Sequence, residues 1–307
     1  MKHSIQSFLF LSVAVLLVSC SGGSFQKTKS GLMYKIIADG KGAALKPGNY
    51  VKFHVVVKQK DSVTYNSFGK IPAFTMVDSV GRPYDISEIL PKMKEGDSAV
   101  VIQLADSIAK QQMGQMPPGL KKGDKITISF RIVKVMTDLS VAQADFQKEM
   151  DDMKAREIKD LESYIKSKNI NAIKTDKGVF VEIINPGTGA KPDSGKQVSV
   201  MYTGTNLEGK KFDSNVDTAF KHPEPLKFVI GQMGMIPGFE EAVKQLLKGG
   251  KAKAYIPSMM GYGMQGSPPM IKPYETLVFE MELVDVTDAP KQTAPILPPA
   301  TGGGQNQ

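Results

Sequence analysis

Apolar and polar residues alternate along four stretches of the chain. Val51-Lys52-Phe53-His54-Val55-Val56-Val57 and Gln197-Val198-Ser199-Val200-Met201-Tyr202 begin with this alternation; the run from Ile126 to Ile132 keeps it throughout, and the run from Leu277 to Leu283 keeps it from Phe279 on. A period of two sends alternate side chains to opposite faces, so these stretches predict half-buried strands. The pattern changes at Gly238-Phe239-Glu240-Glu241-Ala242-Val243-Lys244-Gln245-Leu246-Leu247, which predicts a short helix stopped by Lys248-Gly249-Gly250. A longer helical stretch runs from Val141 to Ser167. Phe146, Met150 and Met153 lie four and three apart, and Ile158, Leu161 and Ile165 resume the stripe after a phase slip. That is an amphipathic helix with one narrow apolar stripe. We read it as a linker helix lying on a neighbouring domain; a homodimer formed through this helix is the alternative.

The strand pattern recurs at a fixed distance. Gly31-Leu32-Met33-Tyr34-Lys35-Ile36-Ile37 has its counterpart 147 residues on, in Gly178-Val179-Phe180-Val181-Glu182-Ile183-Ile184. The same offset carries Gly48 onto Gly195 and Tyr65-Asn66-Ser67 onto Phe212-Asp213-Ser214. Towards the ends of the copies the offset becomes 151, which brings Pro117-Pro118 onto Pro268-Pro269 and Ile126 onto Leu277. Each copy is about 110 residues, the size of a small domain. Antiparallel strands with one covering helix in each copy make an α+β plan.

Composition and charge narrow the function classes. A chain of 307 residues accommodates two such domains. The net charge of +8 is not gathered into a stripe: Lys121-Lys122, Lys248, Lys251 and Lys253 are the densest spots, with acids between them. Nucleic-acid binding is therefore not expected. His54 and His222 have no second ligand at helical spacing, and there is one cysteine, so neither a metal site nor an internal disulfide is expected. No glycine-rich phosphate loop follows a strand, and no cofactor is implied.

The one cysteine, Cys20, ends an apolar run from Phe8 to Val18 that follows Lys2 and His3. The run is short for a membrane span and reads as a signal-peptide core. Leu17-Val18-Ser19-Cys20 resembles a bacterial lipobox, which implies cleavage before Cys20 and lipidation of that residue. We therefore expect a signal peptide at 1–19, a flexible tether at 20–30 and a lipid-anchored protein of the cell envelope. No aspartate follows Cys20, which leans towards an outer membrane, facing the periplasm. The Pro/Gly-rich tail 289–307 is expected to be disordered.

The second copy contains Val200-Met201-Tyr202-Thr203-Gly204, Gly209-Lys210-Lys211-Phe212-Asp213-Ser214, Phe228-Val229-Ile230-Gly231 and Ile236-Pro237-Gly238-Phe239-Glu240-Glu241. It closes with Ile256-Pro257, Gly261-Tyr262-Gly263 and Thr276-Leu277-Val278-Phe279-Glu280. From about Gly178 to Val286 this series resembles the FKBP family of peptidyl-prolyl cis-trans isomerases. The resemblance implies two FKBP-like domains, each a twisted antiparallel β-sheet wrapped around one short α-helix. They would span 31–137 (degenerate) and 173–288 (the isomerase), joined by a helical linker at 138–172.

It also implies a hydrophobic pocket walled by Tyr202, Phe212, Leu226, Met235, Ile236, Ile271 and Phe279. The floor would be Phe239, where many members have tryptophan; this chain has none. Asp213 and Tyr262 would be the catalytic polar groups, and Ile236 would offer a backbone N–H. The implied substrates are proline-containing unfolded or nascent exported polypeptides. At the matching offsets the first copy has Val55 for Tyr202, Tyr65 for Phe212, Asn66 for Asp213, Gln111 for Tyr262 and Ile128 for Phe279, with Phe239 falling near Asp85. The first copy is thus expected to be an inactive shell. The alternative function is a non-catalytic chaperone or peptide-binding lipoprotein, in which Met259, Met260, Met264 and Met270 lend a soft surface to varied clients.

Overall fold

The computed structural model describes residues 24–290, apart from 61, 112, 118 and 233. The expected signal peptide, Cys20 and nearly all of the expected tail lie outside the described residues. The chain divides into two compact units that meet between Phe146 and Gln147.

The first unit contains β1 (Gln26–Lys27), β2 (Met33–Ile37), β3 (Tyr50–Gln59), β4 (Ser62–Asn66), β5 (Ala73–Met76), β6 (Ser98–Leu104), α1 (Ala105–Gln111) and β7 (Lys125–Met136). The long helix α2 (Leu139–Ser167) begins in this unit. The strands form one antiparallel sheet in the order β1-β2-β6-β7-β3-β4, with β5 also on β3. The second unit holds the rest of α2, then β8 (Ile173–Lys174), β9 (Phe180–Asn185), β10 (Lys196–Asn206), β11 (Lys211–Ser214), β12 (Leu226–Val229), α3 (Pro237–Val243), β13 (Lys251–Ile256) and β14 (Leu277–Asp288). Its sheet runs β8-β9-β13-β14-β10-β11, with β12 on β10. Strand for strand, this is the order of the first sheet.

The likeness between the two sheets begins before residue 31. Gln26–Lys27, read from the sequence as tether, pairs with Tyr34 and Met33 just as Ile173–Lys174 pairs with Val181 and Phe180. The turns that follow match bond for bond. Leu32 N–H donates to Thr28 Oγ1 and Val179 N–H to Thr175 Oγ1, each at 3.2 Å. Gly31 and Gly178 both take positive φ, 88° and 87°, a conformation that favours glycine. Lys27-Thr28 and Lys174-Thr175, identical at the 147 offset, are the sequence signal for this extension.

Each unit carries one short α-helix, but not at matching places. Where the second unit has α3, the first has two 3-10 turns, Ile86–Glu88 and Leu90–Lys92. Pro91 is the reason. It has no N–H to donate to the carbonyl four residues back, and its ring clashes with that turn. The backbone closes instead with i→i+3 bonds, Ile89 N–H to Ile86 O and Met93 N–H to Leu90 O. The first unit's α-helix, α1, lies between β6 and β7.

The apolar stripe of α2 is used within each unit. In the first, Phe146 meets Phe74 edge-on at 5.3 Å, and Asp145 is gripped by Lys52 and Lys134, each at 2.5 Å. In the second, Leu161 and Ile165 pack against Phe180, Tyr255 and Val278. A Cβ on Gly178 would lie 2.2 Å from Ile158 Cδ1, so the helix sits against bare backbone there.

The main core of the second unit lies on the other face of its sheet. Alternate residues of β10 (Val198, Val200, Tyr202), β13 (Ala252, Ala254, Ile256) and β14 (Leu277, Phe279, Met281, Leu283) are buried there with Phe239, Ala242, Val243 and Leu246. Gly238 brings α3 close: a Cβ would meet Ile256 Cγ2 at 2.2 Å.

Candidate functional site

One end of this core opens into a cavity of about 440 Å³. Phe239 is its floor and is 1% exposed. Around it Tyr202, Phe228 and Phe279 stand edge to face, with ring centroids 5.7, 6.0 and 5.0 Å away. Aromatic quadrupoles favour this arrangement, which gives the floor one defined shape. Phe279 in turn meets Phe212 edge-on at 5.5 Å. Gly204 makes room for that pair, since a Cβ there would lie 2.5 Å from Phe212 and 2.9 Å from Phe279.

Phe212 and Asp213 are neighbours on β11, and a regular strand would send them to opposite faces. Both line the cavity because the pairing slips here. Gly204 faces Asp213 and Thr205 faces Lys211, which leaves Phe212 as the extra residue of a β-bulge. Leu226 enters from β12, while Met235, Ile236 and Pro237 come from the entrance to α3. Ile236 caps that helix in an extended conformation (φ −61°, ψ 134°), and its N–H has no acceptor among the described residues.

The polar side is a compact network. The Tyr202 hydroxyl donates to Asp213 Oδ2 at 2.5 Å, and His222 Nε2 lies 2.7 Å from Asp213 Oδ1. Asn215 ties the end of β11 to β10: its Oδ1 accepts Tyr202 N–H at 2.6 Å, and its Nδ2 donates to Val200 O. Burial, with the adjacent Asp213 carboxylate, holds the Tyr202 hydroxyl far above the usual tyrosine range. Burial and the same carboxylate push Tyr262 up as well. Both phenols therefore stay protonated donors through neutral pH. Tyr262 stands at the rim, 41% exposed, and its hydroxyl makes no hydrogen bond among the described residues.

The structure thus brings Asp213 and Tyr262 to one cavity with Tyr202, Phe212, Leu226, Met235, Ile236, Phe239 and Phe279. Ile271 is the exception. It is 4% exposed and belongs to the core, its backbone paired with Ser267 beneath the Tyr262 loop. Gly234, Pro237 and His222 were not read from the sequence as site residues. The sequence around His222 carries no local mark of its partnership with a carboxylate nine residues away.

Backbone pairing also corrects the match to the first unit. Val56 faces Asn66 and Val57 faces Tyr65, where Thr203 faces Ser214 and Gly204 faces Asp213. The β3–β4 hairpin is one residue shorter than its counterpart, so Tyr65, not Asn66, stands where Asp213 does. Thr64 takes the place of Phe212. Ser67 takes that of Asn215, its Oγ accepting Val55 N–H at 2.8 Å. Among the described residues, no carboxylate faces Val55 across this hairpin.

The sequence comparisons agree with the second unit. The family model for the FKBP-type peptidyl-prolyl cis-trans isomerase matches residues 188–284. The FKBP-type peptidyl-prolyl cis-trans isomerase FkpA of Escherichia coli K12 is 38% identical over 155 residues, half of this chain and 54% of that protein. The FKBP-type 22 kDa peptidyl-prolyl cis-trans isomerase of the same organism is 37% identical over 134 residues, 44% of this chain and 61% of that protein. The chain therefore spans a little over half the length of these two relatives. An FK506-binding protein of Neisseria meningitidis serogroup B is 39% identical over 109 residues, 36% of this chain but 96% of that protein. With nearly the whole of that compact relative covered, and the family model lying on the second unit around the aromatic cup just described, this chain belongs to the FKBP-type peptidyl-prolyl cis-trans isomerase family.

Proposed function

We propose that the second unit isomerises X–Pro peptide bonds in polypeptides that fold outside the cytoplasm. The observation that carries this reading is the aromatic cup, with the bonded pair Tyr202–Asp213 on one wall and the unpartnered Tyr262 hydroxyl at the rim. Rotating the bond opposes a barrier of about 18–20 kcal/mol that comes from amide resonance. No covalent bond forms or breaks, so the reaction needs no nucleophile, metal or proton relay. The twisted amide has lost resonance and is less dipolar than the planar one. A dry aromatic cup favours it relative to water, which is differential binding to the transition state. The proline ring would rest on Phe239, Tyr262 would donate to a substrate carbonyl, and Ile236 N–H would hold the flanking backbone. Asp213, through Tyr202, sets the field along the wall.

Removing one neutral hydrogen bond costs about 0.5–1.5 kcal/mol. Tyr262→Phe is therefore expected to lower kcat/KM about three- to tenfold in a protease-coupled isomerisation assay. Asp213→Val is expected to act in the same direction, with the far-ultraviolet spectrum unchanged in both. Full activity in both variants contradicts the assignment.

We read the first unit as an FKBP-like shell without this activity, because it has the same strand order but Val55, Thr64 and Tyr65 where the cup has Tyr202, Phe212 and Asp213. The lipobox-like Leu17-Val18-Ser19-Cys20 supports anchoring in the envelope. Fatty-acid labelling in cells that disappears in Cys20→Ala tests this. A holdase reading draws on the exposed Met264 and Met270 in the segment that follows Tyr262. Suppression of aggregation that survives Tyr262→Phe and Asp213→Val would favour it.

A further inference from the structure

Tyr262 follows the 3-10 turn Ser258–Met260, and part of what fixes that turn comes from outside the stretch that matches the family model. Glu157, on α2, accepts the Ser258 hydroxyl with Oε1 and Met259 N–H with Oε2, the latter at 3.0 Å. Ser258 is 1% exposed, and its carbonyl accepts the N–H groups of both Gly261 and Gly263, each at 2.8 Å. Those two glycines flank Tyr262. One residue, Ser258, therefore receives Glu157 on its side chain and brackets Tyr262 with its carbonyl.

The base from which Glu157 reaches is itself fixed. Ile158, Leu161 and Ile165 of the same helix pack on the sheet face formed by Phe180, Tyr255 and Val278, and Tyr255 lies three residues before Ser258. Beyond the turn, Met260 is buried in the core under the cup, and Gly261 leaves no room for a Cβ against Leu277, 2.9 Å away. The turn is thus clamped from both sides of the sheet.

Glu157 is also an expensive choice of side chain for a merely structural cap. No cation pairs with it among the described residues, and the charge that acts on it is Asp160, of like sign. Burial pushes its carboxyl up, opposed by the two hydrogen bonds to the turn. A partly buried carboxylate without a counter-ion persists only where hydrogen-bond donors converge on it.

We propose that Glu157 is a positioning residue for Tyr262, so that α2 forms part of the isomerase site as well as linking the two units. This rests on the isomerase reading above. The test uses the full chain with Glu157→Ala and Glu157→Gln, each alone and combined with Tyr262→Phe, and separates kcat from KM. Glu157→Ala is expected to lower kcat about five- to tenfold, the worth of one well-aimed hydrogen bond, with little change in KM. Glu157→Gln keeps the shape but can accept only one of the two donors, so it should fall between parent and alanine variant. In the Tyr262→Phe background neither change should lower activity further. If the Glu157 variants lose as much with Tyr262→Phe as without it, or lose nothing in an active parent, the proposal is overturned. A parent without isomerase activity removes the proposed function and this inference with it. Glu157→Gln keeps the test decisive should the alanine variant fold poorly.

Discussion

Gly204 shows how much of the site depends on single atoms. A methyl group there would overlap both Phe212 and Phe279, so Gly204→Ala forces the wall of the cup outward. Overpacking of this kind costs about 1–3 kcal/mol; we expect a lowered melting temperature together with reduced turnover. Phe239→Ala empties the floor and is expected to cost about 3–5 kcal/mol. The tyrosines give a prediction in pH. Tyr202 and Tyr262 both have raised folded-state pKa values, so the unfolded chain ionises first as pH rises. Their stabilising contribution is complete below the ordinary tyrosine value of about 10 and is lost above it. In a spectrophotometric titration of the native protein these two phenols should be among the last to ionise, and Tyr202→Phe should remove one of the late steps. At this scale the motif residues Phe212, Asp213 and Tyr262 were legible, because they sit in contiguous signatures. His222 and Glu157 were not, because loops and a distant helix bring them to the site.

Among elements, period-two alternation located the long strands, and the change of pattern located α3, which ends at Val243 rather than at the expected Leu247. What it missed has local physical causes. Two 3-10 turns, the second holding Pro91, stand where the second unit has α3, the first unit's short α-helix lying elsewhere, and a hairpin shorter by one residue displaced the match at Asn66. The bulge opposite Gly204 and Thr205 puts two consecutive side chains on one face, which an alternation rule cannot anticipate. The start of α2 carries its own prediction. Burial pushes the Asp145 carboxyl up, but Lys134 and Lys52 more than offset this and hold it below the usual range. A depressed folded-state pKa stabilises above the unfolded value, about 3.9, and that stability is lost as pH falls through the folded value. Asp145→Asn should therefore destabilise the first unit at pH 7, by about 3 kcal/mol if the partly buried pair behaves as buried pairs do. It should also flatten the acid limb of its unfolding profile. Amide exchange in β3 and β7, followed against pH, reads this directly.

At the scale of the molecule, the chain carries two sheets of one strand order, in parallel with the 147-residue offset in its sequence. The offset did not reveal how differently the two are furnished. Backbone pairing places Tyr65 and Val55 where Asp213 and Tyr202 form a hydrogen-bonded pair, so the two sheets share a strand order but not that pair. We assign proline isomerisation to the cup in the second unit. The most direct test is a protease-coupled isomerisation assay on the full chain, comparing the parent with the double variant Asp213→Val/Tyr262→Phe at equal folded concentration. The parent should accelerate the cis-to-trans step, and the double variant should lose that acceleration, by about tenfold or more with two hydrogen-bond contributions removed. Equal acceleration by both proteins would contradict the assignment.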